Sequence, residues 1–139
     1  MKVPMARDLM TTEVFTLRPD LLATDAAGLL LRERISGAPV VTEQRRVIGI
    51  VSEADLMRAL EVVRLGLVPT CTVHDVMTPD PLCAPPDATL YDLAQVFFDY
   101  PIRRLPIEEG GVLVGHVSRR DVLAKLVEVE RELACAAAG

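Results

Sequence analysis

The chain has 139 residues, half of them hydrophobic, with a formal net charge of −5, aromatics at 4% and no Trp. That length holds one compact domain or two very small ones packed together. An acidic chain this poor in aromatics shows neither the basic footprint nor the stacking rings of a nucleic-acid binder.

The first residues, "MKVPMARDLM", lack the apolar core of a signal peptide, and no stretch approaches the roughly 20 apolar residues of a membrane span, so a cytoplasmic protein without membrane contact is expected. Cys71, Cys83 and Cys135 are odd in number and irregularly spaced, which reads as reduced structural thiols. Cys71, His74 and Cys83 offer three metal ligands, but a closed zinc site takes four and the surrounding prolines read as a linker, so no metal is expected.

In chain order, "VFTL" (Val14 to Leu17) reads as a short strand entering a Pro-Asp helix start with Asp20 as cap. Leu22, Ala26 and Leu29 recur at helical spacing and predict a helix over about 21–34. "APVV", the polar turn Thr42 to Arg46 and "VIGIV" predict a hairpin. A helix then starts at Ser52, with Leu56, Ala59, Leu60 and Val63 as its buried stripe, and "GLVPT" ends it.

The remainder repeats this pattern. "VHDVMTPDPLCAPPD" (Val73 to Asp87) matches "ARDLMTTEVFTLRPD" (Ala6 to Asp20), with Asp8 and Asp75 67 residues apart; Pro39 and Pro106 keep that offset, and Gly49 and Gly115 are 66 apart. The second copy predicts a strand "PLCA" (Pro81 to Ala84), Asp87 as cap and a helix over about 88–100 burying Leu93, Val96 and Phe97. A hairpin around Glu108 to Gly111 follows, then a helix from Ser118 burying Val122, Leu126, Val129 and Leu133. The fold class is therefore α+β (α/β): two β-α-β-β-α copies, residues 1–66 and 67–139, with a linker near 66–74. A copy of some 65 residues is marginal alone, since chains of about 60 residues bury only about 60% of their unfolded surface.

Both copies write Gly-x-Val-Ser-x-x-Asp, as "GIVSEADLMRAL" (Gly49 to Leu60) and "GHVSRRDVLAKL" (Gly115 to Leu126). Ser-x-x-Asp is first of all a helix cap. A strand entering a helix N-terminus also presents amide donors suited to a phosphate, and an ionised aspartate one turn in accepts from paired hydroxyls such as those of a ribose. Arg119 and Arg120 lie in the first turn of their helix, where cations oppose the helix dipole and an anion would offset them, and Arg103 and Arg104 add two more cations. The plain alternative pairs these arginines with Glu108, Glu109 or Asp99. Neither a Gly-x-Ser-x-Gly elbow nor a dinucleotide or P-loop glycine signature is present, and His74 and His116 occupy unrelated positions, so no enzyme is expected.

Tandem Asp-x-Met-Thr, then "SGAPVV" or "RRLPI", then Gly-x-Val-Ser-x-x-Asp resembles a pair of CBS (cystathionine-β-synthase) domains over about Ala6 to Val129. The resemblance implies a pseudo-twofold pair, a Bateman module, with two clefts that bind AMP, ADP, ATP, S-adenosylmethionine or sometimes NAD(H) and a tendency to dimerise. Carried over, one cleft uses Ser118 and Asp121, beside Arg119 and Arg120, with Arg18, Ile35, Ser36 and Gly37; the other uses Ser52 and Asp55 with Pro85, Ile102, Arg103 and Arg104. Arg18 and Pro85 depart from the small polar residue the family often has there. Glu53 beside Ser52, against Arg119 and Arg120 beside Ser118, makes the two clefts unequal, the Asp121 cleft being favoured. The expected function is a regulatory adenosine-ligand sensor, with no required cofactor, acting on a partner protein or through its own homodimer. The rival is a ligand-free interaction scaffold in which Ser-x-x-Asp only caps.

Overall fold

A computed structural model describes residues 2–138. Its elements are α1 (Ala6–Leu9), α2 (Ala23–Glu33), β1 (Gly37–Val41), β2 (Val47–Ser52), α3 (Glu53–Arg64), α4 (Val73–Val76), β3 (Thr78–Pro79), α5 (Leu90–Asp99), β4 (Arg104–Glu109), β5 (Val112–Ser118) and α6 (Arg119–Ala138). Both expected hairpins form. In the first, β1 pairs antiparallel with β2, Gly37 opposite Ser52 and Val40 opposite Gly49. In the second, β4 pairs with β5.

The chain divides into two compact units that do not follow the repeat boundary. Residues 15–81 with 111–113 form one, and residues 2–14, 82–110 and 114–138 the other. Each unit takes its first short helix from the opposite repeat. In the unit holding α5 and α6, Ala6 of α1 is fully buried among Leu90, Leu93, Leu105, Ile107 and Val117. Its amide donates to the Ala88 carbonyl at 2.8 Å, that of Arg7 to Pro86 at 2.9 Å, and that of Leu90 to Pro4 at 2.8 Å. The other unit repeats the pattern. Val73 of α4 is fully buried among Leu17, Ala26, Leu30, Val40 and Val51. There the amides of Val73, His74 and Ala23 donate to the carbonyls of Leu21, Pro19 and Cys71 at 2.8, 2.9 and 2.8 Å.

These contacts account for the Asp-x-Met-Thr motif residue by residue. Asp75 Oδ2 accepts from the Thr72 amide at 2.9 Å while Thr72 Oγ1 accepts from the Asp75 amide at 3.3 Å, a reciprocal cap on a one-turn helix. Asp8 likewise accepts from the Met5 amide at 2.9 Å. Thr11 exchanges two hydrogen bonds with His116 of β5, each 3.0 Å. Met10 lies across Gly115: a Cβ there would stand 2.8 Å from both the Met10 sulfur and the Thr11 carbonyl oxygen, so only glycine fits beneath the crossing chain. Met77 covers Gly49 in the same way, beside β3, which pairs with β2.

Three expectations are corrected. The strands at Val14 to Leu17 and Pro81 to Ala84 shrink to single parallel bridges, Leu17 to Val40 and Ala84 to Ile107. The prolines that follow, Pro19 in one copy and Pro85 in the other, lack the amide that would extend them. Asp20 and Asp87 do not cap: they occupy turns closed by Leu21 to Arg18 and Ala88 to Pro85 hydrogen bonds, with Pro at the second position. The helices begin later. Thr89 and Asp92 form the reciprocal cap of α5, and α2 starts after Leu22 with no side-chain cap at all. Finally Leu22 and Leu133 are exposed, because α2 begins beyond Leu22 and α6 continues to Ala138, more than two turns past its last buried residue, Val129. No helix among the described residues is long and apolar enough to cross a membrane.

Burial in β5 holds the imidazole of His116 below its ordinary value of 6.5, with the Arg104 charge acting in the same direction and Asp121 opposing. The unfolded chain then binds this proton more tightly than the folded one. The corresponding stability is complete above pH 6.5 and is lost as pH falls through the folded value. Melting followed between pH 7.5 and 5 should show that loss, and His116→Ile, which copies Ile50 of the first repeat, should flatten it; an unchanged slope in the variant would refute the assignment. Burial also pushes the Cys83 thiol up to about 12, helped by the Glu108 carboxylate, while Cys135 is exposed. Iodoacetamide at pH 8 should therefore label Cys135 first and leave Cys83 unmodified in the folded protein, as read by peptide mass.

Candidate functional sites at two helix starts

Each Gly-x-Val-Ser-x-x-Asp carries its chain from a hairpin strand straight into a helix. At the first, Ser52 Oγ accepts from the Asp55 amide at 3.2 Å and Asp55 Oδ2 accepts from the Ser52 amide at 2.9 Å. At the second, Ser118 Oγ accepts from the Asp121 amide at 3.1 Å and Asp121 Oδ2 from the Ser118 amide at 2.9 Å. All four residues are half-buried. Capping is therefore real in both copies, and it uses only one oxygen of each aspartate.

The loop that each cap meets by hydrogen bond is that of its own repeat. The Glu53 amide donates to the Ser36 carbonyl at 2.9 Å, and the Arg119 amide donates to the Arg103 carbonyl at 3.0 Å. Hairpin geometry dictates this, since the residue before the first strand lies opposite the end of the second. Ser36 and Gly37 thus stand beside Ser52, and Gly37 is required there because a Cβ would lie 2.8 Å from the Val51 carbonyl oxygen. Arg103 and Arg104 stand beside Ser118 and Arg119. Antiparallel register makes this adjacency readable from the sequence.

Ile35 and Ile102 occupy matching places at the mouths of these loops, each half-buried against the core of its own unit. Arg18 is exposed and pairs with Glu43 at 3.6 Å, and Pro85 is exposed in the turn before α5.

The charges differ between the copies. Arg103, Arg104, Arg119 and Arg120 are all exposed, and among the described residues none makes an ion pair, so Glu108, Glu109 and Asp99 do not neutralise them. The Arg119 to Arg103 hydrogen bond brings the two pairs together in the backbone at one helix N-terminus. Around Ser52 the matching residues are Ile35's neighbours Ser36 and Gly37, with Glu53 and Ala54 on the helix.

The remaining aspartate oxygens differ as well. Asp55 Oδ1 accepts from Arg58 Nη2 at 2.6 Å, a contact the sequence reading passed over although Asp and Arg three apart on a helix face each other. Ala124 stands at the matching place in α6, and Lys125 turns instead to Glu128 at 3.2 Å. Among the described residues Asp121 Oδ1 accepts no hydrogen bond and makes no ion pair. No group of three or more His, Cys, Asp or Glu side chains suited to a metal ion occurs among the described residues.

Comparison with known proteins bears on these sites. The family model described as "CBS domain" matches residues 6–62 and 73–128. The CBS domain-containing protein YhcV of Bacillus subtilis is 33% identical over 116 residues, covering 84% of this chain and 81% of YhcV. The crystal structure of CBSX2 in complex with AMP matches with a TM-score of 0.79 at 27% identity, over 91% of this chain and 98% of that one; CBSX2 is a CBS-pair protein from Arabidopsis thaliana. The cytosolic domain of the Mg2+ channel MgtE in complex with ATP matches with a TM-score of 0.74 at 29% identity, over 87% of this chain and 48% of that one. The chain spans 42% of a 31%-identical relative from Methanocaldococcus jannaschii and about a quarter of the length of the inosine-5'-monophosphate dehydrogenases it matches. Two matched repeats, a relative aligned over most of both lengths and the same fold in a solved CBS pair establish that this chain belongs to the CBS-domain family, as a tandem pair.

Proposed function

We propose that this protein is a regulatory sensor of an adenosine nucleotide, and that occupancy is passed to a partner protein or to a homodimer of the chain itself. The observation that carries the reading is the second helix start, where an uncommitted aspartate oxygen stands beside four unpaired arginines. Asp121 Oδ1 is an acceptor for a ribose hydroxyl, the arginines and the α6 N-terminus are donors for phosphate, and Ile102 offers an apolar edge to a base. The neighbours CBSX2, in complex with AMP, and the cytosolic domain of MgtE, in complex with ATP, support the same ligand class.

Binding rather than turnover is favoured by the serines, whose oxygens accept helix amides instead of facing a base. Four cations favour AMP, ADP and ATP over S-adenosylmethionine, which carries a sulfonium in place of phosphate. The working location is the cytoplasm, where such nucleotides are abundant. Signalling requires the ligand to favour one of two states over the other, of the dimer or of the complex with a partner.

The scaffold reading draws on the completeness of both caps, which accounts for Ser and Asp with no ligand at all. Thermal melting with adenosine, AMP, ADP, ATP and S-adenosylmethionine separates the two. Ligand at about 100 times its Kd adds roughly 2.7 kcal/mol, and the shift should grow from adenosine to the phosphorylated ligands. Absence of any shift at millimolar concentrations would leave the scaffold standing.

Substitution of Asp121 then distinguishes its two oxygens. Asp121→Ala should cost the free protein about 1 kcal/mol as a lost cap, and Asp121→Asn, which can still accept from the Ser118 amide, should cost less. Both should remove most of the nucleotide-induced shift. An Asn variant that binds as the parent does would show that the carboxylate serves the cap alone.

A further inference from the structure

The two Ser-x-x-Asp motifs are identical in spacing and in cap geometry, yet their spare oxygens are not equally free. Asp55 is well covered, its side chain 14% exposed, and Arg58 reaches it from a largely exposed position, 70%, to close a 2.6 Å charge-assisted bond on Oδ1. With Oδ2 already accepting from the Ser52 amide, both oxygens of Asp55 have protein partners. A pair of ribose hydroxyls has to displace the guanidinium before it reaches this carboxylate. Glu53, in the first turn of the same helix, adds a like charge toward any phosphate. In the second copy Ala124 replaces Arg58, Lys125 is held by Glu128, and Arg119 replaces Glu53.

We infer that Arg58 is a specificity-determining residue, an internal competitor that occupies the ribose-reading oxygen of Asp55 and makes the two motifs fill in order, Ser118-Asp121 first and Ser52-Asp55 only at higher nucleotide concentration. The inference rests on the nucleotide-sensor reading above and goes beyond it in assigning rank to the sites and a cause to the rank. A part-exposed ion pair is a modest obstacle, so the effect of Arg58 is about fivefold in affinity.

The reciprocal exchange of Arg58 and Ala124 tests it, with AMP as the probe and isothermal titration calorimetry as the readout. In an Asp121→Asn background, where the remaining binding reports the Ser52-Asp55 motif, Arg58→Ala should tighten AMP about fivefold. In the parent chain Ala124→Arg should weaken the first binding event by a similar factor. Both positions are exposed, so each variant should melt as its background does, and a thermal scan checks this before titration. Unchanged or weaker AMP binding on removing Arg58 would overturn the inference, the latter marking Arg58 as a phosphate contact. Two sites of equal affinity in the parent would also overturn it while leaving the sensor reading intact, whereas a parent that binds no nucleotide removes the reading and the inference together.

Discussion

The structure depends on one reciprocal insertion. Ala6 and Val73, 67 residues apart, each sit with no exposed surface in the core of the unit built mainly from the other repeat. The segments that carry them make the same three backbone hydrogen bonds on each side, donating two and accepting one. A repeat cut away with its own leading segment would keep a helix with no groove to fill and lose the one that fills its groove. That is a physical reason for the chain to carry two copies, beyond the marginal core of some 65 residues. Losing either insertion removes apolar burial and backbone pairing together, which are the costly losses in a small domain.

The same insertion fixes the candidate sites. The segment that buries Ala6 continues through Met10 and Thr11 across Gly115, three residues before Ser118, and its copy passes Met77 and Thr78 across Gly49, three residues before Ser52. Strand, crossing segment and cap are thereby one unit. The crossing chain demands glycine, the strand delivers serine at its end, and the aspartate one turn later locks the helix start. Backbone pairing and the reciprocal cap make that point rigid, so the second oxygen of each aspartate is held in place by bonds it does not itself make.

Much of this was legible because it is periodic. The duplication, both hairpins and both long helices of each copy follow from repeated apolar spacing, and Ser-x-x-Asp announces its cap. Asp20 and Asp87 misled because a proline before an aspartate is equally the start of a turn, and only the later Thr89 with Asp92 shows which amides a cap satisfies. Sequence also hid the exchange of leading segments, since local patterns say that Ala6 and Val73 are buried without saying in which core. The adjacency of Ser36 to Ser52, in contrast, is recoverable, because hairpin register places it there.

Why the two copies differ where they do follows from what the cap consumes. It requires the serine oxygen, one aspartate oxygen and the two amides between them, in both copies, whether or not anything binds. Substitution at those atoms costs folding stability, so they stay alike. The positions between and after them, Glu53 and Ala54 against Arg119 and Arg120, and Arg58 against Ala124, supply none of the atoms of the reciprocal cap and are exposed. Their charge can change at little cost to the fold. Divergence of ligand preference is therefore confined to the residues that decide what the spare aspartate oxygen and the helix N-terminus meet. A structural constraint shared by both repeats has left the chemistry around it free to become unequal.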